Sequence, residues 1–232
     1  EYLLNIANST FENWGRANPD KNMDEFDFQL NKMSVSGALF DMIKLLDIGK
    51  TVISKMTAEE VYENSLAWAK KYDKELEEIL QDKEYSLKVF GIERGNKKPR
   101  KDISKWSDVK DSIIYMYDNK FLNNEVYYNY AKVSDKQEIT KILNEYIEKY
   151  FDINDDKETW FNKIKDLAEK FGYAREVKEY KADPDNYLGH VGDISTVLRV
   201  ALTGRQNTPD MYEIIQVIGK NSVIERLEKA MK

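Results

Sequence analysis

The sequence predicts a predominantly all-α protein, and three kinds of observation predict it. Ser or Thr followed three residues later by Glu or Gln gives a capping box at Thr57/Glu60, Ser134/Gln137 and Ser222/Glu225, where side chains satisfy the orphan amides of a helix start. Apolar residues after Thr57 recur at spacings of three and four, as one buried helix face requires. Glycine and proline fall where helices stop and start.

In chain order, Glu1-Tyr2-Leu3-Leu4 already reads as helix, and the absence of an initiator methionine suggests a piece of a longer protein. The cluster Asn18-Pro19-Asp20-Lys21-Asn22 is a turn, and the alternation Phe26-Asp27-Phe28-Gln29-Leu30 allows a short strand. From Thr57, the residues Val61, Leu66, Ala69, Tyr72, Leu76 and Leu80 predict one long helix to about Leu80. Ser107-Asp108 starts another, with Ile113, Ile114, Tyr117 and Phe121 on its apolar side, and a further helix covers about Asp135 to Tyr150. A tyrosine-rich run, Tyr127 to Tyr130, lies between them. Gly172 closes a helix holding Trp160, Phe161, Ile164 and Leu167, and Gly204 closes one from Val197 to Thr203. The polar stretch Tyr173 to Asp193 reads as a long loop. Thr208 as N-cap with Pro209 in the first helical position starts a helix ended by Gly219, and Ser222 starts the terminal one. Boundaries near Thr57 and Ser134 divide the chain into 1–56, 57–133 and 134–232.

Composition narrows the function classes. At 232 residues with 41% hydrophobic and 34% charged residues, the chain can bury a core and lacks the composition of a disordered protein. It has no cysteine and one histidine, His190, which leaves neither disulfides nor a thiolate or histidine-rich metal site, so no metal is expected. No apolar run approaches the roughly 20 residues that span a bilayer, so a cytoplasmic protein with no membrane partner is expected. Net charge is −6, which disfavours a general nucleic-acid sponge and DNA as partner. Within this acidic chain, residues 94–105 carry Arg94, Lys97, Lys98, Arg100, Lys101 and Lys105 against the single acid Asp102, with Trp106 next in sequence. Positive charge beside an aromatic suits RNA, and a solvated lysine-rich loop is the plainer reading.

No catalytic constellation emerges. No carboxylate pair sits in an apolar setting that would separate acid from base, and His190 lies in polar sequence with no serine partner in view. Lys32-Met33-Ser34-Val35-Ser36 resembles the ATP loop of class I aminoacyl-tRNA synthetases, Lys-Met-Ser-Lys-Ser, but valine at the fourth place cannot neutralise phosphate, and an ordinary turn is expected there. Arg199 is a sharper oddity. A guanidinium among Val197, Leu198, Val200 and Leu202 is expensive to bury unless a carboxylate, phosphate or base edge receives it.

The ordered strings Leu198-Arg199-Val200-Ala201-Leu202-Thr203-Gly204, Thr208-Pro209-Asp210-Met211-Tyr212-Glu213 and Ile218-Gly219-Lys220 through Arg226-Leu227 resemble the anticodon-binding domain of bacterial-type glutamyl-tRNA synthetases. Upstream, Ser36-Gly37-Ala38-Leu39-Phe40-Asp41 with Lys44-Leu45 resembles that family's stem-contact segment. The resemblance implies a helical stem-contact segment over 1–56, followed by a two-part α-helical cage over 57–133 and 134–232 that splays out anticodon bases and reads their edges. It implies that Arg199 donates to a base, that Thr196 stands where the family often has a longer glutamine, and that Thr208, Pro209, Met211 and Tyr212 pack on the middle and third bases. A family arginine that reads the third base falls on Pro99, or with a one-residue gap on Arg100, which leaves discrimination between glutamate and glutamine tRNA open. Lys97 and Lys98 would contact phosphates. The ATP-binding fold would precede residue 1, so ATP and Mg would serve the parent enzyme, a glutamate–tRNA ligase, with no cofactor and no catalysis in this stretch. The expected partner is tRNA, with the chain acting as a monomer; a helical protein-interaction adaptor using Tyr127 to Tyr130 is the alternative.

Overall fold

The computed structural model of the chain describes residues 1–33, 39–97 and 99–232. Helices α1 (Tyr2–Ala7) and α2 (Ser9–Ala17) meet at Asn8, a buried residue whose side chain caps α2 by accepting from the Thr10 amide at 3.0 Å. The turn at Asn18 forms as expected, with the Lys21 amide donating to the Asn18 carbonyl at 3.2 Å. The alternating segment after it is not a strand: short 3-10 turns at Met23–Glu25 and Leu30–Lys32 flank it, and no strand occurs among the described residues. Alternation without a partner edge leaves the backbone to satisfy itself locally.

Helix α3 (Met42–Lys55) is capped by Asp41, and α4 (Ala58–Tyr72) by the reciprocal Thr57/Glu60 box that the sequence predicts. The helix expected to reach Leu80 instead breaks at Asp73. That residue adopts an extended backbone, and its carboxylate caps α5 (Lys74–Ile79) through the Leu76 amide at 3.1 Å. Because Val61 and Ala69 on one piece and Leu76 on the other, with Leu80 after it, are buried in one core, the spacing of three and four runs through the break without marking it, although Tyr72 beside the break is exposed. After α6 (Lys83–Gly91), the segment from Trp106 is broken as well, into α7 (Val109–Ile113), a 3-10 turn and α8 (Asp118–Phe121).

In the last hundred residues, α9 (Lys136–Glu145) is capped by Asp135 rather than Ser134 and runs into a π-turn through Tyr150. Helix α10 (Lys157–Lys170) ends at Gly172, whose left-handed backbone lets the Tyr173 amide reach the Ala168 carbonyl. The stretch read as a long loop contains α11 (Val177–Ala182), and a parallel bridge between Ala174 and His190 folds its two ends together. Helix α12 (Val191–Thr203) therefore begins six residues before the expected start. His190 is its N-cap: Nδ1 accepts from the Gly192 amide at 3.0 Å while the Asp193 carboxylate accepts from the His190 amide at 2.9 Å. Helix α13 (Met211–Ala230) is capped by Asp210, not Thr208, and the non-helical backbone of Gly219 (φ 79°, ψ 168°) breaks it into two helical pieces, where the sequence predicts one helix to end before the terminal one. Ser222 caps nothing there; its hydroxyl donates to Asp118.

Helix α4 packs on α5 and α6, and α12 lies between α10 and α13. One continuous apolar core, from Ile53 to Leu227, joins these groups across the sequence position of Ser134. Within it Arg226 is completely buried. Among the described residues, no helix is long and apolar enough to cross a membrane.

Candidate nucleic-acid interface

Helix α12 buries Val197, Leu198, Val200, Ala201 and Leu202, which leaves Arg199 half-buried on the side toward the 204–210 loop. Gly204, left-handed at the end of the helix, turns the chain back so that this loop passes beside the guanidinium. Nη1 of Arg199 donates to the Pro209 carbonyl at 3.0 Å and to the hydroxyl of Thr208. Burial pushes the Arg199 pKa down, but a guanidinium is so basic that it stays charged. Nη2 and Nε make no hydrogen bond among the described residues. The puzzle of a cation in an apolar helix is thus partly answered by the chain's own carbonyls, with two nitrogens left over.

Arg100 reaches the same place from the other half of the chain. It lines, with Thr208, Pro209, Tyr115 and Arg205, a cleft of about 270 Å³. Its Nε and Nη2 donate to the two Asp102 oxygens at 2.7 and 3.2 Å, and Glu93 lies 3.8 Å away. The Asp102 hydrogen bond, opposed by partial burial, holds the Arg100 pKa above its ordinary value. Glu93 also ties the two walls together: its amide donates to Glu213 at 2.8 Å, and its carboxylate accepts from the Asp210 amide at 3.1 Å. This exchange holds Glu93 in a left-handed conformation, φ 55°. Such a backbone is uncommon outside glycine and fits a position fixed from both sides.

Arg205 completes the group. Its guanidinium lies 4.8 Å from the Tyr115 ring centre and donates to the Asp111 carbonyl. Burial pushes the Tyr115 hydroxyl up to about 12, while Arg205, Arg100 and Arg199 each pull the other way. Arg100 and Arg205, far apart in sequence, thus line one cleft with Tyr115, and Arg199 holds the Thr208–Pro209 wall beside it. Sequence reasoning missed Arg205, Tyr115, Glu93 and Asp102. For Arg205 a signal existed, since it directly follows the helix-ending glycine of the most distinctive string. Tyr115 carried none, being hidden in an apolar helical run.

The other expected site residues are distributed differently. Thr208 is buried, with its hydroxyl donating to the Pro209 carbonyl at 3.0 Å while accepting from Arg199. Thr196 turns its hydroxyl back to the Gly192 carbonyl at 2.8 Å. Met211 is only 3% exposed, and Tyr212 donates to the Asp155 carbonyl at 3.0 Å with its ring 5.9 Å from that of Trp160. Both fix the start of α13 against α10. Lys97 is exposed, and Lys98 lies outside the described residues. The rest of the basic stretch divides by role: Arg94 braces the end of α3 by donating to the Ile53 and Met56 carbonyls at 2.8 and 3.0 Å, and Lys101 donates to Thr51 at 2.8 Å. Trp106 packs on the core. Of the ATP-loop look-alike, Lys32 closes an exposed 3-10 turn with Met33 after it, and Ser34 to Ser36 lie outside the described residues, as do Gly37 and Ala38. Among the described residues no cluster of His, Asp and Glu could hold a metal ion. The tyrosine run alternates: Tyr128 and Tyr130 pack on the core and only Tyr127 is exposed, which leaves little of the surface an adaptor would use.

Residues 189–231, which contain Arg199, Arg205, Thr208 and Pro209, match the family described as anticodon binding domain. Along its whole length the chain is 45% identical to a glutamate–tRNA ligase of Acetivibrio thermocellus, covering 42% of that protein. It is 45% identical over 99% of its length to one from Clostridium perfringens strain SM101, again 42% of the relative, and 43% identical to one from Sorangium cellulosum, 40% of the relative. The chain thus spans less than half the length of these relatives. Along its entire length this all-α chain is similar to a part of these glutamate–tRNA ligases, and its residues 189–231 are similar to an anticodon binding domain.

Proposed function

We propose that this chain is the tRNA-binding part of a glutamate–tRNA ligase, seating the anticodon loop of glutamate tRNA in the cleft lined by Arg100 and Arg205, with Arg199 beside it at Thr208 and Pro209, and its stem along residues 1–56. The reading extends to a cytoplasmic parent enzyme that joins glutamate to tRNA with ATP and Mg bound elsewhere in the protein, and to a monomeric chain with no cofactor of its own. Glutamine tRNA is the related ligand that Arg100 would accept or reject. The observation that carries the proposal is a cleft lined by Arg100, Arg205 and Tyr115 whose Thr208–Pro209 wall is held by Arg199, which among the described residues leaves two of its nitrogens without an acceptor. Planar cations that hydrogen-bond edgewise and stack facewise suit unstacked bases, and a cleft between two helical groups suits a single-stranded loop.

Fluorescence anisotropy with the 232-residue chain tests it. Glutamate tRNA should bind more tightly than the same tRNA with its anticodon swapped. Arg199→Ala should weaken cognate binding by about 1–3 kcal/mol. Lys97→Ala should weaken all tRNAs alike and flatten the salt dependence. Equal binding of the two tRNAs at moderate salt, with no effect of Arg199→Ala, would sink the proposal.

A further inference from the structure

A second cleft, of about 390 Å³, shares Tyr115 and Arg205 with the first and continues over Phe121, Val126, Tyr127 and Gly204. We propose that this second cleft takes another unstacked base of the same RNA loop, so that the Arg205–Tyr115 pair is a partition with a nucleobase on either side. The inference rests on the reading of the first cleft as an RNA site.

Three features of the cleft point to a base. The shared wall is a guanidinium held over an aromatic ring by the Asp111 carbonyl, a fixed planar cation of the kind on which bases stack. The opposite rim is the extended run 125–130, where side chains alternate: Val126, Tyr128 and Tyr130 turn toward the core, and Tyr127, between them, is 84% exposed. An exposed aromatic ring, unpartnered among the described residues, at the mouth of a cleft whose other side is a planar cation is suited to close on a flat ligand. The floor is Gly204, where an added Cβ would come within 2.9 Å of Val126, so the absence of a side chain lets the rim approach the end of α12.

The cleft is also built before any ligand arrives. Tyr128 and Tyr130 stack at 5.9 Å with their planes 14° apart, and Gln206 donates to the Asn129 carbonyl at 3.1 Å, joining the rim to the loop that follows Arg205. On the other side Lys229 donates to the Phe121 and Leu122 carbonyls, both at 2.8 Å, and clamps the turn that leads into the rim. A rim fixed in this way loses little freedom on binding, which favours a specific base over a non-specific backbone contact.

The test uses the full chain and an anticodon stem–loop hairpin of glutamate tRNA, intact or with an abasic site at each loop position in turn. The variants are Tyr127→Ala, at an exposed position, and Arg205→Lys, which keeps the charge and loses the plane, with circular dichroism confirming the fold of each. One loop position should exist where the abasic site weakens the wild-type chain about tenfold but weakens Tyr127→Ala and Arg205→Lys by less than about twofold. A different position should show that pattern with Arg199→Ala. The second base site is excluded if both variants bind the intact hairpin as the wild type does, or if every abasic loss persists unchanged in them. An effect of Arg199→Ala with none from Tyr127 or Arg205 overturns this site alone. Failure of the wild-type chain to distinguish the hairpin from an anticodon-swapped one overturns both readings.

Discussion

Arg226 and Asp118, 108 residues apart, form an ion pair in which the guanidinium is completely buried, with Nη2 and Nε donating to one carboxylate oxygen at 2.7 and 3.0 Å. The remaining donors go to the carbonyls of Tyr115, Leu202 and Met116 at 2.8, 2.9 and 3.2 Å. The arginine also lies over the Phe121 ring at 4.4 Å. One side chain thus pins the end of α12, the middle of α13 and the segment carrying Tyr115 to each other. Truncating it leaves those carbonyls without partners and opens a void, but Asp118 is partly open to water and can rehydrate. Arg226→Met should lower stability by about 2–4 kcal/mol, seen as a reduced urea midpoint with an unchanged slope. A loss below about 1 kcal/mol would show that the guanidinium is dispensable for joining the two halves.

Asp73 gives the fold an acid-sensitive joint. Burial alone would raise its pKa. The Lys110 ammonium at 2.8 Å and the amides of Leu76 and Glu75 outweigh burial and hold the carboxyl below its ordinary value of 3.8. The folded-state pKa being the lower one, the ion favours folding above pH 3.8, and that contribution disappears as pH falls through the depressed value. Asp73→Asn, which keeps a capping oxygen but no charge, should be less stable than wild type at pH 7, with the difference shrinking below about pH 4 in parallel thermal melts. A difference that stays constant from pH 7 to 3 would assign the loss to capping geometry alone.

Much of the architecture could be read from residues acting on their own immediate backbone. Thr57 with Glu60, and Gly172 and Gly204 in left-handed conformations, mark helix ends because the chemistry of capping is local. What escaped was decided over longer distances. Asp73 breaks a helix whose apolar spacing continues through it, and Ser222 answers to Asp118 rather than to its own helix. Thr208 is taken by Arg199, which leaves Asp210 to cap α13. The candidate site followed the same division. Arg199 stands out as a cation in an apolar run, but the approach of its Thr208–Pro209 partners to the cleft of Arg100 depends on Glu93 bridging to Asp210 and Glu213, and Arg205 gains a role only once Tyr115 lies beneath it. The basic stretch shows the converse: adjacent in sequence, Arg94 turns into the fold while Lys97 faces solvent.

Gly49 controls how the first helices seat against the arginine-bearing loop. An added Cβ would collide with the backbone carbonyl of Ser104, which cannot rotate away as a side-chain end could. Gly49→Ala should therefore push α3 from the segment after Arg100 and cost about 1–3 kcal/mol by urea denaturation, despite alanine's better helix propensity. Equal or higher stability would mean that the 102–105 segment yields easily, and Arg100 with it.

Asp102 holds Arg100 by two hydrogen bonds at 2.7 and 3.2 Å, in a cleft that an RNA must enter with its own negative charge. The carboxylate has two opposed effects. It restrains a flexible cation in one orientation, which favours reading a base edge, and it offsets part of the charge that would attract any phosphate. Asp102→Asn removes the second effect entirely and weakens the first. Binding of non-cognate RNA should tighten severalfold, with the salt dependence steepening by up to about 0.7 in the slope of log K against log salt, the value for one further single-strand phosphate neutralised. The preference for the cognate anticodon over a swapped one should fall, because the freed guanidinium gains phosphate contacts that carry no sequence information. A salt series of dissociation constants on both tRNAs separates the terms: if Asp102→Asn instead weakens cognate binding as much as Arg100→Ala and leaves the slope unchanged, the carboxylate acts by orientation alone.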